Sequence, residues 1–291
     1  MLINSYKSIK NRKIIGLIFA ILGTFFIIAA RYSNNPAVIT PINCSNYNTI
    51  IFDLGDVLFQ TNQSAKNKII AKAVFKNPML LYYLINFSIK EKYFDFLQTI
   101  PAQTTLTMYH KSQKMPQIMV DWQTGISTCQ EIKEKITAQA LQSNYPICIQ
   151  NLFIAIADFM FTPETLANAQ TPIQQTLNLA KKLKNAGYQI YALSNWDAQS
   201  FELALKNNPD FFSLFDGILI SGQEKTGKPS PEFFQKLFNN HNINPAQSIF
   251  IDDEPNNLNA AKQLGLTTIL CTQPEDIVRE LISLGVLTLQ L

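Results

Sequence analysis

Five short apolar runs, each free of charge until its final residues, constrain this chain more than any other feature. They are Asn48–Gly55 around "IIFDLG", Gln189–Ser194 "QIYALS", Gly217–Ser221 "GILIS", Ser248–Asp252 "SIFID" and Thr267–Cys271 "TTILC". A strand wet on one side alternates apolar with polar residues. Unbroken apolar runs of this length instead fit parallel strands covered on both faces. Helix signals separate the later runs. Thr171-Pro172 opens a helix that closes at Gly187, Ser230-Pro231-Glu232 opens a second, and Asp253-Glu254-Pro255 opens a third that ends at Gly265. Strand, helix, strand in this order predicts an α/β fold, a doubly wound, Rossmann-like parallel sheet built through right-handed crossovers. Ligands of such sheets bind at the carboxyl ends of the strands.

The pattern changes between the first two runs, over about residues 60–170. The segments "NPMLLYYLINFSIKEKYFDFLQ", "STCQEIKEKITAQALQ" and "PICIQNLFIAIADFM" are helical in character, and Thr162-Pro163-Glu164 opens a further short helix. An insertion placed directly after the first strand is expected to form a cap over the active end of the sheet. Its aromatic residues Tyr82, Tyr83, Phe87, Tyr93, Phe94 and Phe96 lie at helical spacing and are expected to form the cap's own core. The division expected is therefore 48–59 with 171–291 as the α/β core and 60–170 as the cap.

Residues 1–31 differ from the rest. Lys7, Lys10, Arg12 and Lys13 precede the uncharged run Ile14–Ala30. At 1.5 Å per residue that run makes about 26 Å of helix, marginal for a bilayer core of roughly 30 Å unless Arg31 and Tyr32 extend it and snorkel. The expectation is an N-terminal transmembrane helix, with the basic flank cytoplasmic and the remainder extracytoplasmic. A cleaved signal peptide, leaving a secreted protein, and a buried helix are the alternatives. Residues 32–47, polar with two prolines, are expected to be a linker. Beyond residue 31 the chain holds 19 basic and 21 acidic residues, a balance that argues against a nucleic-acid partner. Four widely spaced cysteines match no zinc pattern and are expected to be buried thiols, although an extracytoplasmic domain could bridge Cys129 to Cys148. With only His110 and His241 present, histidine triads are nearly excluded and chemistry must rest on carboxylates, lysine and hydroxyls.

Such groups collect at the strand ends. Asp53 ends the first strand, Ser194-Asn195 the second, and Asp252-Asp253 close "IFIDD". Lys228 precedes a helix in "TGKPSPEFF", and Asp197 stands where it would cap a helix. Singly these are ordinary turn residues. Together they form a constellation for phosphoryl transfer on one edge of the sheet.

In this order, "IIFDLGDVL", "YALSNWD", "GKPSPEFF" and "IFIDDEPNNLNAA" resemble the four motifs of the haloacid-dehalogenase-like (HAD) hydrolases, over about residues 48–285. The insertion site resembles that of the family's helical cap called C1. The resemblance implies a phosphatase in which Asp53 is the nucleophile and forms an aspartyl-phosphate. It implies Mg²⁺ held by the Asp53 carboxylate, the Gly55 carbonyl and Asp253, with Asp252 and Asn257 as ligands or supports and Asp252 also able to orient Lys228. Ser194 and the Asn195 backbone N–H would bind phosphate oxygens, and Lys228 would neutralise their charge. The partner implied is a small phosphorylated metabolite; nothing in the sequence specifies an oligomeric state.

One position departs from the family. Most of its phosphatases carry an Asp two residues beyond the nucleophile, which protonates the leaving oxygen and later activates water. Here that position is Gly55. Side-chain alternation along a strand turns Asp56 to the opposite face, which makes it a poor substitute unless the chain curls tightly after Gly55. The glycine keeps two other readings open: a metal-independent 2-haloacid dehalogenase, and a catalytically weakened, membrane-tethered binding module. The Asp252-Asp253 pair favours the phosphatase, because metal-free dehalogenation has no use for it.

Overall fold

The computed structural model describes residues 38–41, 46–62, scattered positions between 64 and 82, and 89–290. The expected membrane helix at Ile14–Ala30, most of the linker, Cys44, Tyr83 and Phe87 lie outside the described residues. A short strand, β1 (Val38–Pro41), falls inside the segment expected to be a linker. Among the described residues, no single helix is long and apolar enough to cross a membrane.

The five apolar runs form one parallel sheet. Its strands are β2 (Thr49–Phe52), β7 (Gln189–Ser194), β8 (Gly217–Ile220), β9 (Ser248–Asp252) and β10 (Thr267–Leu270), in the order β10-β9-β2-β7-β8. Successive side chains leave opposite faces. Ile50, Phe52, Ile190, Ala192, Ile249 and Ile251 pack with Leu177, Leu183, Phe201 and Ile277 of one helical layer. Ile51, Tyr191, Leu193 and Phe250 pack with Phe233, Phe234, Leu237 and Leu258 of the other. Covering both faces explains the absence of alternation in the strands. A fully buried side chain of this kind contributes about 1.5–3 kcal/mol.

Register brings the polar strand ends together. Phe52 stands opposite both Ala192 and Ile251, and the Asp53 N–H donates to the Ile251 carbonyl at 2.8 Å. Asp53 therefore follows β2 at the edge where Ser194 ends β7 and Asp252 ends β9.

The helical insertion leaves through β3 (Phe59–Thr61) and returns through β6 (Gln170–Pro172), which pair antiparallel. Its helices Ile89–Gln98, Gln117–Gln123, Cys129–Gln142, Ile147–Met160 and Pro163–Ala169 enclose a separate apolar cluster that includes Tyr93, Phe96, Ile132 and Phe153. Phe153 packs against Phe96 and Tyr93, with ring centroids 4.8 and 5.1 Å away. A hairpin of β4 (Tyr109–His110) and β5 (Gln113–Lys114) had no counterpart in the sequence expectations. Cys129, Cys148 and Cys271 are buried free thiols, so the bridge between Cys129 and Cys148 is not formed.

Candidate active site

Asp53 is buried at the carboxyl edge of the sheet, and three donors converge on its Oδ1: its neighbour's Leu54 N–H at 2.6 Å, the Ser194 hydroxyl at 2.7 Å and Lys228 Nζ at 2.9 Å. Its Oδ2 is the oxygen these donors leave clear. Lys228, only 1% exposed, also reaches Asp252 Oδ2 at 2.7 Å. Burial pulls the ammonium down, but Asp252 and Asp53 more than offset it, so Lys228 stays charged above its ordinary value.

The lysine is placed by an amide that the sequence did not single out for this purpose. Asn195 donates from Nδ2 to the Lys228 carbonyl at 2.9 Å and accepts the Lys228 N–H on Oδ1 at 2.8 Å. Gly227 permits this approach, since a Cβ there would sit 2.6 Å from Asn195 Oδ1 and 2.4 Å from the Met108 methyl. The side chain of Asn195 thus ties the "TGKPS" loop to the end of β7.

Asp53, Asp252 and Asp253 offer oxygens that all lie within 4.8 Å of one another. Both oxygens of Asp252 are engaged, by Lys228, by the Glu254 N–H at 2.7 Å and by Asn257 Nδ2 at 3.1 and 3.2 Å. Asp253 is less enclosed. Burial, then Asp53 and Asp252, push its carboxyl up to about 7, and burial raises Asp252 to about 6. Carboxylates held so high call for a compensating cation. Asn257 Oδ1 is buried beside them without a hydrogen-bond partner, an acceptor suited to a metal-bound water. The donor set fits a hydrated Mg²⁺, which takes carboxylate oxygens and keeps several waters.

The segment after Asp53 differs from the sequence expectation. Strand β2 ends at Phe52 rather than continuing to Gly55, so strand alternation does not orient Asp56. The chain curls: the Leu58 and Phe59 N–H groups both donate to the Leu54 carbonyl at 2.9 and 2.7 Å, and Asp56 adopts a left-handed φ of 52°. Gly55 and Asp56 consequently line the same cavity as Asp53. Asp56 is exposed and sits 3.9 Å from Lys111 Nζ, at the tip of the β4–β5 hairpin. At that tip the Ser112 N–H also donates to Glu254 Oε2 at 2.8 Å.

The cavity, of about 430 Å³, lies between the sheet edge and the helical insertion and reaches Asp53, Ser194, Asn195, Lys228, Asp253 and Asn257. Its opposite wall comes from the insertion, including Phe94, Met119 and Trp122. Tyr93 belongs to the insertion's core as expected, yet it also lines the cavity, as does Phe94. No spacing rule separates these residues from core positions, because both kinds recur every three or four residues.

A family model, "haloacid dehalogenase-like hydrolase", matches residues 47–265. The chain belongs to the haloacid dehalogenase-like hydrolases. The sesquiterpene phosphatase astK of Aspergillus oryzae is 31% identical over 101 residues, 35% of this hydrolase and 51% of that protein. D-ribitol-5-phosphate phosphatase of Bacteroides thetaiotaomicron is 30% identical over 96 residues, 31% of this chain and 44% of its own length. The hydrolase thus spans about half the length of these two relatives. Flavin mononucleotide hydrolase 1 of Arabidopsis thaliana is 22% identical across 72% of this chain and 79% of that one. Among solved structures, a HAD-like hydrolase from Porphyromonas gingivalis shares the fold with a TM-score of 0.53 at 17% identity, covering 82% of this chain and 98% of its own.

Proposed function

We propose that this hydrolase is a Mg²⁺-dependent phosphomonoesterase working through an aspartyl-phosphate on Asp53. The observation that carries the reading is the grouping of Asp53, Asp252 and Asp253 around one buried lysine, a donor set that suits a metal and a phosphate and serves no metal-free displacement. The relatives named as phosphatases support the same class. Asp53 would attack phosphorus with its clear oxygen, and the ester oxygen would leave with its electron pair. Ser194 and Lys228, now on Asp53 Oδ1, would turn to the non-transferring oxygens together with the Asn195 backbone N–H. Asp53, the Gly55 carbonyl and Asp253 would hold Mg²⁺. When bound, the ion supplies positive charge against a dianionic phosphate and the acidic cluster. Of the two roles open to Asp252, its saturated oxygens favour orienting Lys228. The insertion, residues 60–170, would act as the cap over core residues 48–59 and 171–291, excluding water and meeting the leaving group.

Dehalogenation is the alternative that Gly55 favours. Turnover of an aryl phosphate with and without Mg²⁺, with Asp53→Asn as control, separates them. Metal-dependent phosphate release lost in Asp53→Asn is expected; metal-independent chloride release from a chloroacid overturns the proposal. We further propose, from Ile14–Ala30 and its basic flank, a single-pass anchor with the catalytic domain extracytoplasmic. A C-terminal tag should resist protease in inside-out vesicles and be cleaved in right-side-out ones; the reverse pattern rejects this topology.

A further inference from the structure

The cavity bears on what the ester carries beyond its phosphate, an inference that rests on the phosphatase reading. Its charged groups gather at the sheet edge, and Thr61, Tyr109, Gln123 and Gln170 add polar groups elsewhere around the lining. The rest of its wall includes Phe59, Phe94, Leu97, Met115, Met119 and Trp122. Lys228 is the only lysine or arginine among the described lining residues, and two carboxylates already hold it at 2.9 and 2.7 Å. The other ionisable lining groups include the carboxyls of Asp56 and Glu254. A second phosphate or a carboxylate on the substrate would face like charge and would find Lys228 already paired, with Lys111 outside the lining beside Asp56. A polyol would set most of its hydroxyls against rings and thioethers, with scattered partners such as Thr61 and Gln170 to replace only part of its hydrogen bonding to water. A hydrocarbon group loses none. Methionines 115, 119 and 160 are unbranched and can mould to its shape. A volume of about 430 Å³ falls in the range of small-ligand sites.

We propose that the substrate is a phosphomonoester of an uncharged, hydrocarbon-rich alcohol, its aliphatic or ring-fused body lodged against the insertion. Trp122 and Trp196, the chain's two tryptophans, both line the cavity, so intrinsic fluorescence reports binding separately from turnover. The experiment compares n-butyl, n-octyl and glycerol phosphates with p-nitrophenyl phosphate, using the full chain in Mg²⁺ and esters below their micelle concentrations. It also titrates Asp53→Asn with the octyl and glycerol esters by fluorescence. Octyl phosphate should exceed butyl phosphate in kcat/KM by about tenfold or more, with glycerol phosphate lowest. Asp53→Asn should bind the octyl ester tightly enough to change its fluorescence at concentrations where glycerol phosphate does not. Met119→Gln should shrink the octyl-to-butyl ratio; should that variant not fold, the wild-type chain-length series decides alone. Normal turnover of the aryl ester with an octyl-to-butyl ratio near one overturns the substrate class and leaves the phosphatase standing. No turnover of any ester overturns both.

Discussion

Gly55 stands where the resemblance to HAD phosphatases implies an acid, and the backbone there leaves room for one. A Cβ added at Gly55 meets nothing within 4 Å, and its φ is not left-handed. Gly55→Asp should therefore fold and raise kcat/KM for an alkyl phosphate by roughly 10²-fold or more, with little change for p-nitrophenyl phosphate, whose leaving group needs no proton. Equal gains on both esters would show that the new carboxyl acts otherwise. Lys228→Met removes the cation between Asp53 and Asp252 and should destabilise the metal-free protein by about 3–5 kcal/mol, the cost of leaving buried charge unpaired. Thermal melts should then show a larger Tm gain on adding Mg²⁺ than in the wild type. Asp53, Ser194 and Asp253 stood out because they close apolar runs, and Lys228 because it lies just before a helix start. The side-chain roles of Asn195 and Glu254 were not, since their partners, Lys228 and Ser112, belong to other elements.

The β4–β5 hairpin shows how an element escapes a sequence reading. Its tip, Lys111-Ser112, has φ values of 50° and 61°, a turn that usually calls on Asn-Gly. Contacts to Asp56 and Glu254 hold these residues in a conformation their own preferences disfavour. The helix Pro274–Ser283 is held instead by contacts among its own N-terminal residues. Asp276 accepts from the Gln273 N–H at 3.1 Å and from Arg279 at 2.9 Å, and it also accepts from the Thr272 hydroxyl. The Thr272 hydrogen bond, then Arg279, hold its carboxyl below the ordinary value of 3.8. A carboxyl depressed by folding contributes stability that is present above pH 3.8 and is lost as pH falls through the folded value. Asp276→Asn should accordingly lower Tm at pH 7, and the gap from wild type should narrow on acidification toward pH 3. A gap independent of pH would mean that the charge contributes nothing.

The hairpin tip belongs to the insertion and touches Asp56 and Glu254, which line the cavity, so it is placed to sense what fills that cavity. With Mg²⁺ and inorganic phosphate, amide exchange should slow at residues 109–114 and stay unchanged in Pro274–Ser283. Uniform slowing would indicate global stabilisation instead. The residue pattern alone specified the parallel α/β sheet, three of its helices and the polar groups at its edge. Apolar runs, capping residues and strand-end breaks are local, and local chemistry is sufficient to place them. Tertiary structure decided the remainder: the curl that turns Asp56 into the cavity, the amide that holds Lys228, and which insertion side chains face the site rather than their own core. Each depends on residues distant in sequence meeting at one distance and angle, information that no periodicity along a single chain contains.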